Sequence, residues 1–267
     1  MAGIWQIDWS APWLAGVRAL GQQADALVRQ GHGVARALQQ VADARGLLAG
    51  WEFVPQGALP PGQAYEAFIR AERRIPTRDN LHDFFNGLIW LHWPVLKQHL
   101  NAMQAAAIVQ QGVGAQRGPL RDAITVLDEN GALLLAPQRL CEALRHRRWH
   151  ALFVELRPLW AQACVLPIGH ALLEKLVAPR KPITAHVICV AREAAGVPQE
   201  GAALDAWLSA SAHAGACNLA AKPYLPLPVL GIPGWWPENE NFSFYDDSLV
   251  FRAPRTTQAA QQTVQPA

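Results

Sequence analysis

The hydrophobic and polar positions of residues 74–101 form the most informative pattern in the chain. Apolar side chains cover most of a predicted helix from about residue 81 to 91, and a helix that is apolar on most of its surface is buried. Pro94 cannot lie inside a helix but suits a first turn. The pattern therefore predicts a break near Trp93 and a second helix from Pro94 to about Gln110.

Three polar residues, His82, Asp83 and Asn86, interrupt the apolar helix. Residues three and four apart share a helix face, so Asn86 is expected beside both of the others. A buried polar group without a partner costs about 1–3 kcal/mol. These residues therefore either bond one another and the backbone, or they line a cleft. Lys97 and Asn101 repeat the four-residue spacing on the second helix, where we expect a solvated stripe.

Three arginines, Arg73, Arg74 and Arg78, lie around the start of the first helix, where Asp79 or Asn80 is expected to be the N-cap. A helix N-terminus attracts anions because its N–H groups are free and its dipole is positive there. The cluster either binds an anion or pairs with carboxylates and water. We take Arg78 as a candidate substrate-binding residue.

The ends of the chain differ in their apolar pattern. Helical spacing predicts two helices in segment 1–48, separated by Gly31 and Gly33. This segment is expected to pack on the rest, so that residues 1–252 form one globular domain. Residues 253–267 are rich in Thr, Gln and Ala and lack apolar periodicity. They are predicted to be a disordered tail.

A β-hairpin is predicted over Arg121–Leu135, because the Asn-Gly pair at 130–131 is a strong hairpin signal. Asp122 stands at the start of its first strand and is a candidate catalytic acid. Arg121 beside it is a candidate substrate-binding residue. The acids that precede the Asn-Gly pair are expected to be turn residues: Asp128 and Glu129.

A strand, a short helix and a second strand are predicted at 164–168, 170–176 and 183–190. This order fits a crossover between parallel strands. His170 follows directly after the turn at Gly169, and Glu174 lies four residues later on the same helix face. The pair could bind one metal ion, or Glu174 could orient the imidazole as a general base. The remaining alternative is a surface ion pair.

The segment 223–252 contains alternating prolines, so it is predicted to be extended and cannot be a central strand. Phe242–Arg252 is expected to be a loop that enters a final strand. A rigid aromatic segment of this kind can wall a pocket, or it can hold the C-terminus on the core. Trp235 and Tyr245 are therefore candidate substrate-binding residues.

The composition is that of a globular protein with a substantial core, at 51% hydrophobic and 16% charged residues. The net charge of +2 gives no electrostatic reason to expect nucleic-acid binding. The four Cys residues are widely spaced, which favours buried, reduced thiols. No basic-then-apolar leader opens the chain and no apolar run is long enough to span a membrane. We expect a cytoplasmic protein.

Four separated motifs occur in order: IPTRDNLHDFFNGLIWLHWPVLKQHLN, RDAITVLDENG, PIGHALLEKL and PLPVLGIPGWWPENENFSFYDDSLVFR. In these motifs, and over about residues 50–252, the chain resembles DUF3025, a bacterial family of unknown function. The resemblance implies a bacterial source. It implies neither an activity nor a catalytic residue.

These patterns predict an α+β fold: a mostly helical single domain with a small mixed sheet, made of the hairpin and the β-α-β unit. For function, we expect a hydrolase-like enzyme, assisted by a divalent metal ion or not. The alternative is a non-catalytic module that binds a small ligand or a protein through its Trp- and Pro-rich surface. The expected catalytic residues are His82, Asp83, Asn86, Asp122, His170 and Glu174.

Overall fold

The computed structural model describes residues 5–111, 118–212 and 217–254. Helices α1 to α9 are Arg18–Arg29, Val34–Arg45, Tyr65–Glu72, Leu81–His92, Pro94–Gln111, Pro119–Asn130, Gln138–Arg145, His170–Lys175 and Gly201–Ser211. Strands β1 to β6 are Glu52–Pro55, Arg74–Thr77, Gly131–Ala136, Cys164–Pro167, Thr184–Ala191 and Tyr224–Pro228. The fold is α+β with a helical majority and two small sheets, which confirms the predicted class.

The larger sheet has the strand order β4-β3-β5-β6. Strands β3 and β5 are parallel and the other neighbours are antiparallel. Every residue of β3 is buried, and Leu133 at its centre pairs with Leu166 on one side and Ile188 on the other. The proline-containing strand β6 lies at the edge, as predicted, because a strand that lacks N–H donors cannot be paired on both sides.

The predicted hairpin is wrong, because residues before Gly131 form helix α6. Pro119 occupies the first turn of this helix, and Ala123, Ile124 and Leu127 form its buried face. Gly131 has φ −82° and ψ 156°, which is extended backbone and not the positive φ of a tight hairpin turn. The Asn-Gly pair is therefore a junction between a helix and a strand.

The predicted β-α-β unit is also wrong in its pairing. Strands β4 and β5 are separated by β3, and β4 runs antiparallel to β3. Near the C-terminus the predicted final strand is absent from the described residues, which form a 3-10 turn at Phe242–Asp246. Residues 253–254 of the expected disordered tail have no regular structure, and residues 255–267 lie outside the described residues.

The break between α4 and α5 at Pro94 is confirmed. Asn80 caps α4, since its side-chain oxygen accepts from the backbone N–H of Asp83 at 2.7 Å. Asp205 of α9 accepts from the first free N–H groups of α5, those of Val95 and Leu96, at 2.8 Å each. Helix α4 packs on α2 and α8. Among the described helices, none is both long and apolar enough to cross a membrane.

Candidate functional site

Helices α4 and α8 bring His82 and His170 together. Their Nε2 atoms lie 3.0 Å apart, and the two rings are nearly perpendicular at 81°. His82 is about a third exposed, whereas the His170 side chain is only 5% exposed. One imidazole therefore faces the opening of a cleft and the other forms its wall.

Gly169 determines where His170 lies. A Cβ atom at this position would lie 2.5 Å from the backbone of Glu129 and Asn130, a distance that real Cβ atoms do not reach. The Gly169 N–H also donates to the carbonyl of Gly131 at 2.8 Å. The turn between β4 and α8 thus crosses the end of α6 at main-chain contact, which places His170 against the last turn of that helix.

That last turn carries two carboxylates, Asp128 and Glu129. Negative charge is unfavourable at a helix C-terminus because the helix dipole is negative there, so these acids need compensation from elsewhere. Glu129 Oε2 lies 3.6 Å from His170 Nε2, and Asp128 Oδ2 lies 3.8 Å from His170 Nδ1. Burial and the charge of Asp128 raise the pKa of Glu129 despite the opposing effect of His82.

Lys97 provides part of the compensation. Its side chain is 5% exposed, and its ammonium donates to Asp128 Oδ1 and to Asn86 Oδ1. Burial alone would raise the pKa of Asp128, but Lys97 and His170 outweigh it and hold that pKa below its usual value. The solvated stripe predicted for Lys97 and Asn101 is wrong, because both residues are buried.

Glu174 pairs with a different histidine from the one expected. Its Oε2 lies 2.8 Å from His82 Nδ1, so it orients His82 and not its own helical neighbour His170. A carboxylate accepts only from a protonated ring nitrogen. In the tautomer of His82 that fits this contact, Nδ1 carries the hydrogen and Nε2 is a bare acceptor.

This assignment fixes the tautomer of His170 as well. For the contact between the Nε2 atoms to be a hydrogen bond, His170 Nε2 must carry the hydrogen and donate to His82. His170 Nδ1 is then bare, and among the described residues this buried atom has no hydrogen-bond partner. Burial lowers the pKa of His170 to about 4 against the opposing charge of Asp128, so the ring is neutral near pH 7.

The two histidines face a cavity of about 330 Å³, which we call the histidine cleft. A second cavity of about 290 Å³ adjoins it and shares four lining residues, Tyr65, Glu66, Asp128 and Glu129. The Tyr65 hydroxyl accepts from Asn86 Nδ2 at 3.3 Å. Burial and nearby carboxylates raise the pKa of Tyr65, so the phenol remains a protonated donor.

One family model, described as a protein of unknown function (DUF3025), matches residues 51–255. The chain belongs to this family. The match includes all residues of the histidine cleft and excludes α1 and α2. Neither the curated proteins nor the solved structures contain a match.

The other candidate residues on and around α4 and α6 of this DUF3025 chain differ in whether they line the cleft. The Asp83 carboxylate accepts from the backbone N–H of Arg78 at 2.6 Å and from its guanidinium at 3.0 Å, and both residues line the histidine cleft. Asp122 is exposed in the first turn of α6, and it does not line either part of the cleft described here. Arg121 lines the adjoining cavity.

The remaining candidates lie in another part of the DUF3025 fold. Trp235 lines a cavity of about 670 Å³ together with Trp160 and Phe242, which we call the aromatic cavity. The Tyr245 hydroxyl donates to the Gly231 carbonyl at 2.9 Å and is buried. Of the predicted substrate-binding residues, Arg78 lines the histidine cleft, Arg121 its adjoining cavity and Trp235 the aromatic cavity. Tyr245 lines none of these three cavities.

Five residues in or beside the cleft were not among the candidates from the sequence, and three of them had been assigned other roles. Two signals in the sequence could have found some of them. One is the pair of carboxylates, Asp128 and Glu129, in the last turn of a helix, where negative charge is unfavourable. The other is Lys97, a lysine in the helix that follows an apolar helix. The residues are Tyr65, Glu66, Lys97, Asp128 and Glu129.

Proposed function

We propose that this DUF3025 chain is a hydrolytic enzyme whose reaction takes place where His82, His170 and Glu129 meet. The observation that carries this proposal is the 3.0 Å approach of two imidazole Nε2 atoms at a polar cavity. Clusters of histidines and carboxylates with shifted pKa values are typical of catalytic sites. Both the pKa of Glu129 and the pKa of His170 are displaced here.

The cleft has the parts that hydrolysis requires. The Nε2 atoms and the Glu129 carboxylate can hold a water molecule at one point. The Tyr65 hydroxyl is a protonated donor that can stabilise negative charge as it develops on the substrate. The cavity of about 330 Å³ suits a small molecule, and its charged lining favours a polar one.

The test is a screen with chromogenic carboxylic esters, amides, and phosphate mono- and diesters, each with and without added Zn²⁺ or Mn²⁺. We expect at least one class to be hydrolysed, and His82→Ala and His170→Ala each to lower kcat/KM by about 100-fold or more. His150→Ala is the matched control, because its ring is 69% exposed and pairs with Glu155 at the surface. A rate that survives His170→Ala, or no turnover of any class, would contradict the proposal.

The aromatic cavity supports a second candidate function, the non-catalytic binding of a small apolar ligand. Its volume of about 670 Å³ is ample for such a ligand, and Trp160, Trp235 and Phe242 give it aromatic walls. An apolar fluorescent probe such as anilinonaphthalene sulfonate should bind there. Trp235→Ala should weaken that binding, whereas His170→Ala should leave it unchanged.

A further inference from the structure

We infer that the histidine cleft binds one divalent transition-metal ion through His82 Nε2, His170 Nε2 and the Glu129 carboxylate, and that Asp128 and Glu174 position the two imidazoles. The inference concerns the same site as the proposed hydrolytic function and deepens it. It does not require that the reaction be a hydrolysis.

The separations between the donor atoms suit a single ion. Two nitrogens at about 2.0–2.1 Å from a tetrahedral zinc ion lie about 3.3 Å from each other. The two Nε2 atoms are 3.0 Å apart, and Glu129 Oε2 is 3.6 Å from His170 Nε2. The donor atoms of the three residues all lie within 4.8 Å of one another, so small side-chain movements can place them around one point.

The orientation of the rings supports the same conclusion. Each histidine turns Nε2 toward the shared point and Nδ1 toward a carboxylate, Glu174 for His82 and Asp128 for His170. Metal-bound histidines almost always donate their second ring N–H to a carboxylate, a carbonyl or water. A simple pair of hydrogen-bonded histidines does not require an acid behind both rings.

The buried Nδ1 of His170, which has no partner among the described residues, also fits this arrangement. In the metal-free tautomer, Nε2–H of His170 donates to His82. When an ion bonds to Nε2, that nitrogen gives up its hydrogen and Nδ1 gains one, so the ring stays neutral and no net proton is released from it. The new Nδ1–H then faces Asp128 Oδ2, which needs to approach from 3.8 Å to hydrogen-bond distance.

The charges of the cleft favour a cation at this point. Glu129 and Asp128 occupy the negative end of a helix dipole, and the Lys97 ammonium is bonded to the Asp128 oxygen Oδ1, the one farther from His170 Nδ1. Asp128 is thereby held as a carboxylate whose other oxygen is available to His170. A divalent ion would add positive charge directly beside the Glu129 carboxylate.

The donor set indicates the class of ion. Imidazole nitrogens suit Zn²⁺ and other first-row transition metals, whereas Mg²⁺ and Ca²⁺ prefer oxygen ligands alone. Three protein ligands leave a coordination position for water, as in catalytic zinc sites. With the ion in place, the acidity of that water comes from the metal, and the Nε2 atoms serve as ligands and not as bases.

The experiment titrates the metal-free full-length protein with Zn²⁺ by calorimetry and with Co²⁺ by visible absorption, which reports the coordination geometry. We expect one ion per chain. His82→Ala, His170→Ala and Glu129→Gln should each weaken affinity by about 100-fold or more, while His150→Ala and Glu155→Gln should not change it. Circular dichroism of each variant will separate loss of a ligand from loss of the fold.

Asp128→Asn tests the positioning role in particular. We expect the variant to weaken Zn²⁺ affinity by about 10–100-fold and to keep a Co²⁺ spectrum of wild-type shape. In the wild-type protein, ¹⁵N NMR should show the His170 hydrogen moving from Nε2 to Nδ1 when Zn²⁺ binds. If His170 keeps its hydrogen on Nε2 in the zinc-bound protein, that nitrogen is not a ligand and the metal site as assigned is wrong. If Asp128→Asn leaves Zn²⁺ affinity unchanged, the positioning role of Asp128 is wrong.

The outcomes separate this inference from the proposed function. Binding of one ion that is lost in the ligand variants, without turnover of any substrate class, supports the metal site and contradicts hydrolysis. Hydrolysis that resists chelators but disappears in His170→Ala supports the enzyme and overturns the metal site. Zn²⁺ affinity that is unchanged in both His82→Ala and His170→Ala also overturns it.

Discussion

The histidine cleft and the aromatic cavity differ in size and in chemistry. The aromatic cavity has about 670 Å³ and the cleft about 330 Å³, yet the convergent ionisable groups line the smaller one. A large volume shows where a ligand can fit. Reactive groups held at fixed distances by their neighbours show where a reaction can occur. Of these two cavities, the cleft brings two histidines and a carboxylate together, whereas the ionisable groups of the aromatic cavity form one ion pair, Arg157 with Glu240.

The two regions also differ in what holds them together. Around the aromatic cavity, Phe153 stacks on Trp160 with ring centroids 5.6 Å apart and on Tyr245 at 5.0 Å, so burial of ring surface stabilises that region. Next to the cleft are the buried ammonium of Lys97 and the largely buried carboxylates of Asp83 and Asp128, which had to leave water. We therefore expect the polar groups around the cleft to contribute less to stability than the rings around the aromatic cavity do.

The largest effect is expected from Lys97→Met, which leaves the Asp128 carboxylate buried without its cation. Removing one partner of a buried ion pair costs about 3–5 kcal/mol. Urea denaturation of the metal-free protein should show a decrease of this size in the free energy of unfolding. The double variant Lys97→Met/Asp128→Asn is the control, because it also removes the charge that was left unpaired, and it should recover part of the loss. Equal stability of Lys97→Met and wild type would mean that the ion pair between Lys97 and Asp128 does not stabilise the folded protein.

A smaller effect on stability is expected from His92, which lines a separate cavity with Trp13 and Trp235. Trp235 also lines the aromatic cavity. Burial lowers the pKa of His92 to about 4, below the value near 6.5 of an unfolded chain. The unfolded state therefore takes up the proton first, and stability is lost as the pH falls from about 6.5 toward 4, by at most about 3 kcal/mol.

Denaturation at a series of pH values, with metal removed, measures this loss. His92→Gln should make the curve shallower over this pH range and leave the contribution of His170 in place. If the curves of variant and wild type are parallel, His92 does not titrate as its burial indicates, and the acid sensitivity belongs to the cleft alone.

Glu174→Gln should weaken Zn²⁺ affinity by about 10–100-fold, because the amide no longer provides the charged acceptor that orients His82 Nδ1–H. Glu155→Gln is the matched control, since it changes a histidine–carboxylate pair whose members are both more than 60% exposed. Calorimetry measures both. Equal Zn²⁺ affinities of Glu174→Gln and the wild-type protein would show that the contact between Glu174 and His82 does not affect metal binding.

The smallest effect is expected from Ala161→Trp, which places an indole at the aromatic cavity from an exposed position. Surface substitutions usually change stability by less than about 0.5 kcal/mol. Binding of the apolar probe should decrease, while Zn²⁺ affinity and kcat/KM stay the same. A change in either of the latter would show that the two cavities are coupled.

Local rules were sufficient for those parts of the fold that are decided by neighbours in the sequence. The break at Pro94 and the cap at Asn80 follow from a missing N–H and a short side-chain oxygen. The edge position of β6 follows from its prolines in the same way. The sequence indicated His82 and His170 as separate candidates, and their 3.0 Å approach depends on tertiary packing that no local rule describes.

Local rules failed where packing overrode a turn signal. The Asn130-Gly131 pair favoured a hairpin, but Ala123, Ile124 and Leu127 have helical spacing and the core buries that helical face. With α6 taken as a strand, Asp128 and Glu129 became turn residues and could not be recognised as part of a site.

Contacts between distant segments could not be predicted from local rules, because they too depend on tertiary packing. The sequence around Lys97 does not indicate that Asp128 lies beside it in the fold. The spacing therefore predicted a solvated cation, although Lys97 is buried. Likewise, the sulfur atoms of Cys141 on α7 and Cys189 on β5 lie 2.6 Å apart as free thiols, a contact that their wide spacing in the sequence does not indicate.

The main-chain contact at Gly169 has a consequence for the order of events during folding. The proposed ligands come from three segments far apart in the chain, and they meet only after the turn before α8 has docked on the end of α6. Joining distant segments costs chain entropy, so an unfolded chain offers an ion only isolated ligands. An ion that binds the folded protein alone increases its population by mass action. The supply of metal would then influence how much of the protein is folded, in addition to what the protein does.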